Sequence, residues 1–282
     1  MSRIAYVNGQ YVPHRHAAVH VEDRGYQFAD GVYEVIAVRD GRLVDLAPHF
    51  DRLDRSLGEL DIGAPMPHAS MSFILKEVVR RNRVTDGVVY LQITRGVAPR
   101  DHQFPTDTTA AMVVTARNAI PKMAQREAGI GVISTSDIRW KRCDIKTISL
   151  LPNVLAKQKA VEAGAYEAWQ VDDDGYVTEG SATNAWIVTK DGEIITRQAD
   201  EAILSGVTRL AVMALAERDG ITLIERPFSL EEAKAAKEAF LTSTTSNVMP
   251  VIEIDGSPIG NGHPGTTTRS VSELYERFAN SD

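Results

Sequence analysis

Short apolar runs flank Asn-Gly or Asp-Gly pairs again and again, among them Asn8-Gly9, Asp40-Gly41, Asp174-Gly175, Asp191-Gly192 and Asp255-Gly256. Such pairs adopt the positive φ angles of tight hairpins at little steric cost. They predict much antiparallel sheet. "GVVYLQITRG" (87–96) and "AAMVVTAR" (110–117) read as further strands. Helical patterns are interspersed. "APHFDRLDRSLGEL" (47–60) sets Phe50, Leu53, Leu57 and Leu60 on one face, and "MSFILKEVVRRN" (71–82) is a second helix. "PNVLAKQKAVEAG" (152–164) has Pro152 near its first turn and Gly164 as its stop, and "TRLAVMALAERDG" (208–220) also ends in Gly. "SLEEAKAAKE" (229–238) and "VSELYERFAN" (271–280) are shorter candidates. The expected fold class is α+β, rich in antiparallel sheet, with two domains: a smaller one over 1–119 and a larger one over 120–282. The joint falls in "RNAIPKMAQREAG" (117–129), where a strand ends, Pro121 breaks the pattern and charged residues follow.

A chain of 282 residues that is 43% hydrophobic and 24% charged can build a real core in each of two domains. Its net charge of -7 argues against a nucleic-acid binder, which would be basic. Cys143 is the sole cysteine, so no intrachain disulfide can form, which suits a reducing cytoplasm. No motif around Cys143 marks it as a nucleophile. The seven histidines show no metal-ligand spacing, so no metal is expected. The opening "MSRIAYVNGQYV" holds no apolar run long enough for a signal peptide or a membrane span, so the chain reads as cytoplasmic, without a membrane partner.

"RWKRCDIKTISLLPNVLAKQKA" (139–160) holds four lysines. Lys146 lies between Ile145 and Ile148, just before a helix. An amine among apolar residues is partly desolvated, which disfavours the ammonium and frees it as nucleophile or base. Lys157 and Lys159 sit on a helix whose default is a solvated face, and Lys141 lies in a charged run. Glu179, in "VTEGSATNAW" (177–186), reads either as a solvated turn carboxylate or as an anion aimed at a cationic ring nitrogen. In "ILSGVTRLAVMALAERDG" (203–220) the Gly-Val-Thr opens a helix, whose N–H groups and the Thr208 hydroxyl suit an anion, or Thr208 simply caps its own helix. "FLTSTTSNVMP" (240–250) is a hydroxyl-rich loop with the same two readings. "ITRGVAPRDHQFP" (93–105) puts Arg100 and His102 two apart; in an extended segment both point one way and can grip one carboxylate. Tyr33, in "EDRGYQFADGVYEVIAV" (22–38), reads first as a strand tyrosine in a core.

The order of these segments is more specific than any one of them. A lysine, a carboxylate loop, a Gly-Val-Thr-Arg helix start and a Thr/Ser loop together resemble the class IV, or fold type IV, pyridoxal-phosphate aminotransferases. "RGYQFADGVYE", "HFDRL", "TRGVAPRDHQFP", "DIRWKRCDIKTISLL" and "TEGSATN" are similar to the D-amino-acid branch of that family, over nearly the whole chain. The resemblance implies a two-domain fold with the cofactor between the domains, most of its site being carried by the larger one. It implies pyridoxal 5'-phosphate held as an aldimine by Lys146, which then moves the proton between substrate and cofactor carbon. Glu179 would keep the pyridine nitrogen protonated. Arg52, the Val207 and Thr208 backbone, Ser243 and Thr244 would hold the phosphate, and Leu204 would pack on the ring. Tyr33, Arg100 and His102 would trap the substrate α-carboxylate, with Ser181 nearby. Arg100 and His102 would reach in from a second copy, so a homodimer is implied. The implied partners are small D-amino acids and 2-oxo acids, exchanging an amino group in ping-pong half-reactions.

Two positions depart from the D-amino-acid pattern. Ala182 stands where another Ser is common, and Ala37 replaces a longer polar residue. Both thin the polar wall implied beside the substrate. Other readings on the same fold are a branched-chain or (R)-amine transaminase and an aminodeoxychorismate lyase. No Phe-Glu-Gly-x-Arg-like branched-chain signature is present. A non-enzymatic binding protein is opposed by the intact set of Lys146, Glu179, Arg52 and Thr208.

Overall fold

The structure, a computed structural model, describes residues 3–119 and 122–281. The chain divides into two compact units, Met1–Ile120 with Ile145–Ser149, and Pro121–Asp144 with Leu150–Asp282. The expected joint, with Pro121, falls at residues 120 and 121, which lie outside the described residues. The short stretch carrying Lys146 belongs to the first unit.

The first unit runs β1 (Ile4–Val7), β2 (Gln10–Pro13), α1 (Arg24–Phe28), β3 (Gly31–Arg39), β4 (Arg42–Leu43), α2 (Leu46–Glu59), α3 (His68–Asn82), β5 (Gly87–Thr94) and β6 (Ala111–Asn118). Its six strands form one sheet in the order β2-β1-β6-β5-β3-β4, antiparallel throughout. The period of two in β3 and β5 builds the core. Val32 pairs with Ile93 and Ile36 with Val89, and all four are buried. They pack with Leu53 of α2 and with Met71, Leu75 and Val78 of α3. The alternate face of β3 carries Tyr33, Val35 and Ala37, which stay half-buried. Residues 145–149 lie against the start of β3: Tyr33 N–H donates to the Lys146 carbonyl at 3.0 Å, and Ile148 N–H to Gly31 at 3.0 Å.

The second unit runs α4 (Met123–Ala128), β7 (Ile130–Ser136), α5 (Leu151–Glu162), β8 (Glu167–Val171), β9 (Val177–Gly180), β10 (Asn184–Val188), β11 (Ile194–Thr196), α6 (Val207–Arg218), β12 (Leu223–Glu225), α7 (Leu230–Lys234), β13 (Glu238–Ser243), β14 (Asn247–Ile254), β15 (Ser257–Pro258) and α8 (Thr266–Ser281). The sheet order is β12-β11-β10-β13-β14-β7-β8-β9, with β15 on β14. Parallel pairs join β14 to β7, β7 to β8 and β11 to β12; the rest are antiparallel. Trp169, Ile187, Phe228, Leu241 and Met249 centre its core. No helix among the described residues is long and apolar enough to cross a membrane.

The pairs at 8–9, 40–41, 174–175, 191–192 and 255–256 each turn an antiparallel hairpin. Asn8-Gly9, Asp40-Gly41 and Asp255-Gly256 have positive φ at both positions and make two-residue loops, as a type I′ turn requires. Gly175 and Gly192 alone are positive in the longer loops between β8 and β9 and between β10 and β11. The helix expected over 229–238 stops at Lys234, because Glu238 already belongs to β13. The last helix starts earlier than its periodicity suggested. Glu238 accepts from the N–H groups of Thr267 and Thr268 at 3.1 and 2.8 Å, and this carboxylate stabilises an N-terminus that begins at Thr266.

Candidate active site

In the first unit the Lys146 amine lies 4.3 Å from the ring centroid of Tyr33, a cation–π distance. The Tyr33 ring in turn stacks on Tyr90 across β3 and β5, at 5.7 Å. The Lys146 backbone is fixed from two sides, by Tyr33 and by the Ser56 hydroxyl, which accepts its N–H at 3.2 Å. A backbone held this way leaves the long side chain as the part that moves.

Glu34, on the core-facing side of β3, is wholly buried with His49 beside it. The Arg52 guanidinium grips Glu34 with two hydrogen bonds, Nε to Oε1 at 2.8 Å and Nη2 to Oε2 at 2.7 Å. His49 Nδ1 lies 2.7 Å from Oε2. Burial pushes the Glu34 carboxyl up, but the Arg52 charge and the bonds from Arg52 and His49 outweigh it and hold it at about 2. His49 is lowered, chiefly by burial, with Arg52 and Lys146 adding to the effect and Glu34 opposing it. Glu34 is thus an anion, and the neutral His49 ring donates Nδ1–H to it. This network orients Arg52. Sequence reasoning found Arg52 and missed Glu34 and His49; the available signal was the i, i+3 spacing of His49 and Arg52 on one helix face.

The Arg100–His102 segment lies in the exposed loop between β5 and β6. The Arg100 guanidinium sits 4.6 Å from the centroid of Phe28, and the His102 ring lies 5.6 Å from the same ring. The two side chains therefore share one aromatic platform. Tyr33 is held elsewhere, on β3 with Lys146, so the three expected carboxylate ligands form two groups within one chain.

In the second unit Glu179, on β9, is buried and held on both oxygens. Arg139 donates to Oε1, while Asn184 Nδ2 and the Leu204 N–H donate to Oε2 at 3.1 and 3.2 Å. Arg139 also bonds Asp137 and the Ala202 carbonyl. Burial would lower the Arg139 pKa, but Asp137 and Glu179 raise it further, so the guanidinium stays charged. Arg139 and Asn184 escaped the sequence reading, because an Asp-x-Arg pair and a strand Asn are too common to point anywhere. Ser181 is buried, and its hydroxyl donates to Glu167. Cys143 is pushed up to about 12, mainly by burial, and is a thiol at neutral pH.

Leu204 leads into α6, whose first residues, Val207 and Thr208, are buried. The N-cap is Gly206, which offers no side chain to close the helix end. A Cβ there would meet Asn184 Oδ1 at 2.2 Å, so glycine is required for the approach. Ser243 ends β13, and its hydroxyl accepts the Ser246 N–H at 3.1 Å, shaping a turn in which Thr244 is half-buried. Within the second unit, an open helix start and two hydroxyls are groups that suit a phosphate dianion, and a fixed carboxylate is one that suits a protonated ring nitrogen. Within the first unit, a guanidinium and an amine are groups that suit a phosphate and an aldehyde.

Residues 31–254 match the class IV amino-transferase family. A D-alanine aminotransferase of Bacillus licheniformis is 42% identical over 95% of this chain and 94% of its own. One from Staphylococcus epidermidis is 38% identical over 98% of each. Among solved structures, a T.th. branched-chain amino acid aminotransferase with pyridoxamine 5'-phosphate superposes with a TM-score of 0.91 at 27% identity, covering 100% of this chain and 96% of that one. The family match spans most of both units, and the curated relatives align nearly end to end: the chain belongs to the class IV aminotransferases.

Proposed function

We propose that the chain moves amino groups between D-amino acids and 2-oxo acids, with D-alanine and 2-oxoglutarate giving pyruvate and D-glutamate as the reference pair. The observation that carries this reading is the Arg100–His102 pair on its Phe28 platform. A guanidinium fork and an imidazole held side by side suit one carboxylate. The two D-alanine aminotransferases at 42% and 38% identity support it.

The cofactor is pyridoxal 5'-phosphate, which when bound supplies an electron sink for the pair left at the substrate Cα. In this reading Lys146 would hold the cofactor through its amine, and as a free amine would carry the proton off the substrate Cα. Glu179 keeps a proton on the ring nitrogen, and Arg139, Asn184 and the Leu204 N–H fix the position of that carboxylate. Leu204 packs on the ring. Arg52, steered by Glu34, joins the Val207 and Thr208 N–H groups, Ser243 and Thr244 on the phosphate. Tyr33, Arg100 and His102 bind the α-carboxylate. Ser181, engaged by Glu167, shapes the loop beside the substrate. Because Lys146 works from one fixed face, the side that holds the carboxylate decides which enantiomer presents its Cα–H to the amine.

The assembly in this reading is a homodimer. Arg100 and His102 are exposed in one chain, while Tyr33 stands with Lys146, so the pair is suited to a neighbouring copy's site. An unpaired Cys143 fits a reducing cytoplasm.

The test is release of each donor's own 2-oxo acid with 2-oxoglutarate as acceptor, comparing D-alanine with L-alanine and L-leucine. D-alanine is expected to be at least ~100-fold faster, a barrier difference of ~2.7 kcal/mol. Lys146→Ala is expected to abolish turnover with the fold intact. Preference for L-leucine would support the branched-chain reading instead.

A further inference from the structure

From the packing around the β5–β6 loop we infer that Arg24 and Phe28 are positioning residues for the substrate carboxylate, acting through Arg100 and His102. The inference rests on the carboxylate-binding reading of that pair.

Arg24 is a buried arginine, 3% exposed, with no place in the expected site. It opens α1, and its groups run to the loop. Its N–H donates to the Gly96 carbonyl at 2.8 Å. Its Nη1 donates to the Asp101 carbonyl at 2.7 Å, on the one residue that separates Arg100 from His102. Its Nε donates to Asp30 at 2.7 Å. Asp30 is also held by Arg95, whose guanidinium bonds the Leu60 and Asp61 carbonyls and lies 3.6 Å from the Phe104 ring centroid. Two buried guanidiniums thus share one carboxylate. One holds the loop at Asp101 and the other lies against Phe104, three residues on.

Phe28 completes the arrangement. Its ring meets Arg24 at 4.8 Å, Arg100 at 4.6 Å and His102 at 5.6 Å. Arginine carries much rotamer freedom, and binding through a mobile one loses affinity to ordering. Arg100 on an aromatic face is restrained before substrate arrives. The bond from Arg24 to the Asp101 carbonyl sets the tilt of the peptide that joins the two ligands, so both side chains leave the loop toward the same side. Gly25 permits the approach: a Cβ there would stand 2.3 Å from Thr94.

The experiment is a double-mutant cycle on the holoenzyme, comparing Arg24→Met, Phe28→Leu, Arg100→Ala and each of the first two combined with the third. Three quantities are read: kcat and KM for D-alanine, affinity for pyridoxal phosphate, and the dissociation constant of propionate from its perturbation of the cofactor's absorption. Arg24→Met is expected to raise KM and the propionate constant ~10-fold, the scale of one charge-assisted hydrogen bond, with kcat and cofactor affinity within ~3-fold. Phe28→Leu is expected to raise both about 3-fold, on the scale of one cation–π contact. Each is expected to worsen Arg100→Ala by clearly less than it worsens the wild-type enzyme, since only His102 is then left to position. Effects that multiply with Arg100→Ala, or that fall on cofactor affinity instead, overturn the inference. An Arg100→Ala enzyme with unchanged KM overturns the carboxylate-binding reading itself. Phe28→Leu keeps an apolar side chain in place and decides the matter if Arg24→Met does not fold.

Discussion

Lys146 owes its setting to residues that are silent in its own neighbourhood. Two isoleucines marked it among four lysines, yet the backbone partners that fix it, Tyr33 and Ser56, lie far away in sequence. Glu34 is the stronger example. A carboxylate in the middle of an apolar strand reads as an anomaly until Arg52 and His49 are placed around it, and nothing local reveals them. The network gives a pH signature. Glu34 is held at about 2 against an ordinary 4.5, so it stabilises the fold above pH 4.5 and loses that contribution as pH falls towards 2. His49 is held below 6.5, so the unfolded chain takes up its proton first, and stability begins to fall below about pH 6.5. Both slopes run the same way. Glu34→Gln is expected to lower unfolding stability at pH 7 by on the order of 3 kcal/mol and to flatten the loss between pH 4.5 and 2. Urea unfolding midpoints against pH check this; parallel curves for the two proteins would contradict it.

At the scale of elements, the hairpins were the most legible part of the chain. A positive φ at two successive residues is so restrictive that Asn-Gly and Asp-Gly pairs announce it locally. Helix ends were less legible. Alanines and lysines over 229–238 favour a helix, but Ala236 and Ala239 are buried around the entry to β13, and tertiary packing overrides propensity. The Glu238 cap of α8 is likewise a long-range contact. Gly206 shows an element end tied to the site. Its hydrogen is all that fits beside Asn184, which donates to both Glu179 and the Leu204 carbonyl. Gly206→Ala is expected to displace that amide and weaken pyridoxal phosphate binding ~10-fold or more, an overpacking penalty of ~1–3 kcal/mol. Titration of the cofactor into the stripped protein measures it, and an unchanged affinity would detach the α6 start from the cofactor.

At the scale of the whole molecule, the order of segments along the chain was legible even where each segment alone was ambiguous. The reaction class and the cofactor were readable from that order; the contacts of Arg24, Arg139 and Glu167 were not, because these residues bond side chains and carbonyls distant in sequence. The first unit also leaves large apolar side chains in solvent: Val19, Val21, Tyr26, Val97 and Phe104. Tyr26, at 76%, and Val21, at 74%, are the most exposed of these. A homodimer that covers them is expected in sedimentation equilibrium. Val21→Glu with Tyr26→Glu is expected to yield a folded monomer with D-alanine turnover lost. A wild-type monomer with full activity would contradict this.

Which enantiomer the site accepts decides between the readings, and a single half-reaction shows it directly. The holoenzyme is mixed separately with D-alanine, D-glutamate, L-leucine and (R)-1-phenylethylamine, without an acceptor, and the cofactor's long-wavelength absorption is followed. Fast loss of that band is expected with the two D-amino acids alone. Loss with L-leucine or the amine, and none with D-alanine, would leave Lys146 in its role and contradict the assignment of Arg100 and His102 to the substrate carboxylate.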